Sequence, residues 1–94
     1  MNYELRKLRS EIDAVVVGAK LLGYNVKRLK NTIRILNKFD KIKVQILLYE
    51  VKPIDAPSAI RLRIIYPLEG KDIQRLHESK EEKIEIIRSV INHL

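Results

Sequence analysis

The spacing of apolar side chains changes twice along this chain, and that change limits what it can fold into more than any other feature. Between Tyr3 and Leu22, Leu5, Leu8, Ile12, Val15, Ala19 and Leu22 recur at alternating steps of three and four. That is the repeat of one face of an α-helix. Val15, Val16 and Val17 are β-branched and cost a few tenths of a kcal/mol each in a helix. The pattern runs well past them on both sides, so a helix is expected, closed by Gly23 in a left-handed C-cap. Val17 and Leu21 widen its apolar stripe.

After Asn25 the period falls to two. Leu29, Ile33 and Ile35 alternate with Lys30, Thr32 and Arg34; Ile42, Val44, Ile46 and Leu48 with Lys43, Gln45, Leu47 and Tyr49; Ile60, Leu62, Ile64 and Tyr66 with Arg61, Arg63 and Ile65. Three strands follow. The polar stretch 37–41 reads as a hairpin turn, and 52–58, with Pro53 and Pro57, as a longer connection, so an antiparallel meander is expected. Beyond Pro67 and Gly70 the apolar residues stand at 73, 76, 84, 87, 91 and 94, helical spacing again. Ser79 with Glu82 three residues on forms a capping box, which predicts a short helix over about 71–77 and another from 80, or one kinked helix. The α-β-β-β-α order predicts an α+β two-layer sandwich: a three-stranded antiparallel sheet with the N-terminal helix and one or two C-terminal helices on one face, the other face bare. At 94 residues this is a single domain, 1–94, small enough for a homodimer to help stabilise it.

Cysteine is absent, which excludes disulfides and thiolate chemistry and suits a reducing cytoplasm. The longest apolar stretch, around Val15–Val17, falls far short of the ~20 residues a bilayer requires, so no membrane association and a cytoplasmic location are expected. Abundant Lys, Glu and Ile lean toward a thermophile, an archaeon or an archaeal virus.

Charge is unevenly distributed. Residues 1–23 carry four basic and three acidic side chains, 24–68 ten and three, and 69–94 five and six, so the balances of +1, +7 and −1 sum to the net +7. On the expected bare face Lys30, Thr32, Arg34, Lys43, Gln45, Leu47, Tyr49, Arg61, Arg63 and Ile65 lie together, five cations and no acid. Such a face repels itself unless an anion relieves it, and nucleic acid, DNA or RNA, is the commonest such partner. The residues expected to hold it are Lys27, Arg28, Lys30, Arg34, Lys43, Arg61 and Arg63, with Tyr49 as a platform for a base. The basic run from Lys27 to Lys43 is broken only by Asp40.

Two other uses fit the same residues. Cations on a bare sheet face discourage edge-to-edge aggregation with no ligand at all. Leu47 and Ile65, ringed by cations, also resemble a contact patch with a polar rim, and Ile86 and Val90 lie off the stripe of Ile84, Ile87, Ile91 and Leu94. These four predict a homodimer or an inhibitor docking an acidic protein partner.

Glu50-Val51-Lys52 at the end of an apolar strand has the E-x-K form of restriction-endonuclease-like nucleases. The helix bearing Glu11, followed by Gly23-Tyr24-Asn25-Val26, resembles the opening of archaeal Holliday-junction resolvases. That resemblance implies a metal-dependent nuclease in which Glu50 holds a divalent ion and Lys52 steadies the attacking water. The chain departs from the family where an aspartate is due, since only Asn31 or Asp40 is at hand, and where a helix should follow E-x-K. The helix-strand-strand-strand-helix order is also similar to that of double-stranded RNA-binding domains, but Glu81 and Glu82 stand where that family carries cations. His77 and His93 lack the spacing of a metal site, Ser10, Ser58, Ser79 and Ser89 have no Gly-rich elbow, and Gly occurs only at 18, 23 and 70. The expectation is a non-enzymatic binding protein with no metal, cofactor or small-molecule substrate.

Overall fold

A computed structural model describes residues 2–94. Helix α1, Tyr3–Leu21, starts where Asn2 Oδ1 accepts from Leu5 N at 3.0 Å, one of the free amides of a first turn satisfied by an N-cap. It ends at Gly23, whose φ of 93° lies in the left-handed region. Five strands then run as a meander in the order β1-β2-β3-β4-β5: Asn25–Arg28, Thr32–Leu36, Ile42–Val51, Ala59–Tyr66 and Lys71–Arg75. Every neighbouring pair is antiparallel. Helix α2, Lys80–Arg88, follows, with Ser79 Oγ accepting from Glu82 N at 3.1 Å, and the chain closes in a 3-10 segment, Ser89–His93.

The α+β class, the antiparallel sheet and the two terminal helices agree with the sequence, but the sheet has five strands and not three. Lys71–Arg75, expected as a short helix, is the edge strand β5. Gly70, at φ 66°, reverses the chain after a 3-10 turn at Pro67–Glu69, so that Ile73 pairs with Ile64 and Asp72 with Ile65. Pairing with β4 outweighs the three-residue spacing of Ile73 and Leu76. The other edge, β1, holds a single inward aliphatic, Val26, opposite Ile35. Leu29 and Lys30, expected in the first strand, form the turn between β1 and β2.

One core joins the layers. Leu8, Ile12, Val15, Val16 and Ala19 of α1 meet Ile35, Val44, Ile46, Leu48, Ile60, Leu62, Ile64 and Tyr66 of the sheet and Ile84, Ile87 and Val90 of the C-terminal segment. A register shift between Ile35 and Leu36 turns both inward, as a bulge does. His93 stacks on the buried Tyr66 ring, centroids 4.1 Å apart, and its Nδ1 lies 3.0 Å from Glu69 Oε2.

Polar clamps tie the helices down. Arg88 donates to both oxygens of Glu11 at 2.8 and 2.9 Å, and Lys7 stands 3.4 Å from the same carboxylate. Glu11 is 8% exposed, and its carboxyl is held below the usual value chiefly by the Arg88 hydrogen bonds. Lys83, 1% exposed, donates to Ile60 O at 2.8 Å, Leu76 O at 3.0 Å and Glu4 Oε1 at 3.3 Å.

Candidate nucleic-acid interface

Because successive strand residues point to opposite sides, the aliphatics that fill the core force the residues between them onto the sheet's other face, which carries no helix. Antiparallel pairing aligns these into rows. Lys27 stands beside Arg34, and the row continues through Gln45 and Ile65 to Asp72; the next runs Thr32, Leu47, Arg63, Gln74; a third pairs Tyr49 with Arg61. Lys43 shares the face two residues before Gln45.

Six of the eight expected cation and aromatic positions therefore share one surface: Arg34, Lys43, Tyr49, Arg61 and Arg63, half-buried, and Lys27, exposed at the edge strand. Two do not. Arg28 follows Lys27 and must point the other way; its Nη2 bonds Asp13 Oδ1 on α1 at 3.0 Å. Lys30 lies in the β1–β2 turn, at the edge of the sheet and not on its face.

The side chains on this surface hold one another. Arg34 Nε donates to Gln45 Oε1 at 3.3 Å. Arg61 reaches the Tyr49 hydroxyl at 3.5 Å, its guanidinium carbon 6.0 Å from the ring centroid, a cation–π distance. Tyr49 is thus braced by its cross-strand neighbour Arg61. The expectation of a face without acids fails at β5, which brings Asp72 beside Arg63. Their fork-to-carboxylate pair closes at 3.0 and 2.6 Å, holding the Asp72 carboxyl below its usual range and the Arg63 guanidinium above its own. The missed signal was the alternation of Asp72 and Gln74 about Ile73.

Leu47 and Ile65 sit half-buried at the centre of this face. The other two expected interface residues do not form a surface. Val90 is fully buried, and Ile86 packs against the core. The extra apolar width of the C-terminal segment is taken up in the core of its own chain, chiefly against α1.

The nuclease pattern does not assemble a metal site. Glu50 lies on the face opposite Tyr49 and stands 3.9 Å from Lys52, while Glu11 is engaged by Arg88 and Lys7. Among the described residues no group of three His, Asp or Glu could hold a metal ion, and no helix is long and apolar enough to cross a membrane. The class defined by these features is an α+β fold in which a five-stranded antiparallel meander is covered by helices on one side and shows a cationic surface on the other. The chain matches no protein-family model, no curated protein and no solved structure.

Proposed function

We propose that this protein binds nucleic acid, single strands in preference to duplex, across the helix-free face of its sheet. The observation that carries the reading is that Lys27, Arg34, Lys43 and Arg61 share that face with no carboxylate within ion-pair distance among the described residues. Tyr49 lies among them. A broad sheet surface suits splayed bases better than a duplex groove: phosphates meet the cations, one base stacks on Tyr49, and Leu47 with Ile65 gives apolar support beneath its neighbour. No step in this reading requires a metal or a covalent intermediate.

Fluorescence anisotropy with a labelled single strand of about 12 nucleotides, its duplex and the equivalent RNA tests it. Three or four phosphate contacts to a single strand predict a log–log salt slope of about −2.1 to −2.8. Raising salt from 50 to 200 mM should then weaken binding about 20- to 50-fold. Absence of any anisotropy change at tens of micromolar protein in 50 mM salt refutes the reading.

The central Leu47 and Ile65 support a second reading, in which the same face docks an acidic protein or a second copy of the chain. Light scattering over a concentration series separates these: a dimer whose mass is unchanged by salt, and whose formation abolishes strand binding, favours the second.

A further inference from the structure

On the opposite side of β1 from the cationic face, α1 and the β1–β2 turn enclose a cleft of about 160 Å³. The cleft is open to solvent on one side and has room for a phosphate group. Its floor is core aliphatic, Ile12 and Leu48 among others, and its rim carries Arg9 from α1, Arg28 from the end of β1 and Lys30 from the turn.

The acids that could neutralise these cations are engaged elsewhere. Asp13 stands four residues after Arg9 on α1, the spacing at which the two could pair, yet its carboxylate bonds Arg28 at 3.0 Å. Glu4 goes to Lys83, and Glu11 to Arg88 and Lys7. Every carboxylate of α1 is therefore engaged away from Arg9, and Lys30 has no ion-pair partner among the described residues. Three cations and one carboxylate leave a local balance of +2, matching the roughly −1.5 to −2 charge of a phosphate monoester at neutral pH. Asp13 holds only one terminal nitrogen of Arg28, so the rest of the guanidinium remains free to donate, already oriented.

We propose that this cleft is a phosphomonoester site, in which Arg9 and Lys30 supply unpaired charge and Arg28, steadied by Asp13, supplies a fixed donor. The site is separate from the sheet face and does not rest on the strand-binding reading. A phosphomonoester reaches it either as the terminal phosphate of a nucleic-acid strand or as a free mononucleotide, which share the chemistry recognised.

The test is a nitrogen–proton NMR titration of the full chain at about pH 7.5, where a monoester is largely dianionic. It follows the Arg9 and Arg28 side-chain Nε–H signals and the amides of Lys30, Asn31 and Thr32. Inorganic phosphate is the first probe, with chloride at matched ionic strength as control; a mononucleotide, and one short strand with and without a 5′-phosphate, follow. Saturable shifts of the cleft signals by phosphate but not chloride are expected, weakened at least tenfold in Arg9→Gln/Lys30→Gln and unchanged in Arg34→Gln/Arg61→Gln. A response that depends on the strand's 5′-phosphate identifies a strand end as the source, and one confined to the mononucleotide identifies a free ligand. Cleft signals that follow phosphate no more than chloride, or a cleft double variant with undiminished phosphate affinity, overturn the proposal whatever the sheet face does.

Discussion

Replacing Lys83 by Met tests whether the buried ammonium holds α2 on the sheet. Met keeps most of the aliphatic stem and removes the charge with its three donors, all of which are in use. The last β4–β5 pair is Leu62 with Arg75, so the carbonyls of Ile60 and Leu76 lie just beyond the end of the ladder, and Lys83 Nζ bridges them at 2.8 and 3.0 Å. Each carbonyl left dry without this donor costs about 1 to 3 kcal/mol. Glu4 adds little, since its side chain is 31% exposed and rehydrates. Relief of the ammonium's own desolvation works the other way, so a net loss of about 3 kcal/mol is expected, against a total stability on the order of 5 to 15 kcal/mol. With a urea dependence of roughly 1 to 1.5 kcal/mol per molar, the unfolding midpoint should fall by about 2 to 3 M. Glu4→Gln, measured alongside, should cost less than about 1 kcal/mol. If Lys83→Met is as stable as the parent, or Glu4→Gln is equally damaging, the carbonyl account is wrong.

Other expectations follow from the pairs around the sheet. Asp72→Asn releases Arg63 onto the cationic face, so single-strand affinity should rise and the salt slope steepen by about 0.7 in anisotropy titrations; weaker binding would mean that the pair positions Arg63 for its ligand. Tyr49→Leu removes a stacking platform worth about 1 to 3 kcal/mol per base, predicting a roughly 5- to 150-fold loss of affinity with an unchanged salt slope. Glu11 titrates below its ordinary 4.5 because Arg88 and Lys7 stabilise the carboxylate. Its folded value is the lower one, so its contribution is complete above the unfolded value and disappears as pH falls through the folded value. The stability gap between the parent and Glu11→Gln, measured in urea, should therefore be widest near neutrality and close in acid.

How far the fold was legible depended on how many faces each element buries. Helix α1 repeats its stripe over 19 residues, and the central strands β3 and β4 alternate cleanly because each covers core with one face only. Edge strands have a neighbour on one side, and β1 and β5 each place just one aliphatic inward, Val26 and Ile73. A single apolar residue has no period. Ile73 and Leu76 are spaced as well for a helix as for a strand and the turn after it, and only the partner β4 decides. The placement of Arg28 is legible in the sequence: residues 27 and 28 are consecutive, so parity alone keeps them off one face of a strand. Val90 was less accessible. After Arg88 the chain tightens to a 3-10 segment, in which residues three apart eclipse, and this brings Ile87 and Val90 together into the core.

The same distribution of carboxylates underlies both the packing and the proposed binding. Acids of the two helices meet cations on the covered side of the sheet or at the sheet edge: Glu4 with Lys83, Glu11 with Lys7 and Arg88, Asp13 with Arg28, Glu82 with Arg75. The helix-free face retains five basic side chains, Lys27, Arg34, Lys43, Arg61 and Arg63, and one acid, Asp72. A surface arranged only for solubility intersperses both signs, and this chain has acids enough to do so, with 12 against 19 basic residues. Four of them, Glu4, Glu11, Asp13 and Glu82, tie helix to sheet or helix to helix instead, and the face that packs against nothing in its own chain keeps five cations to one acid. Moving one carboxylate to the centre of that face, as in Gln45→Glu beside Arg34, should leave the core intact and weaken strand binding more than any change of equal charge made on α2.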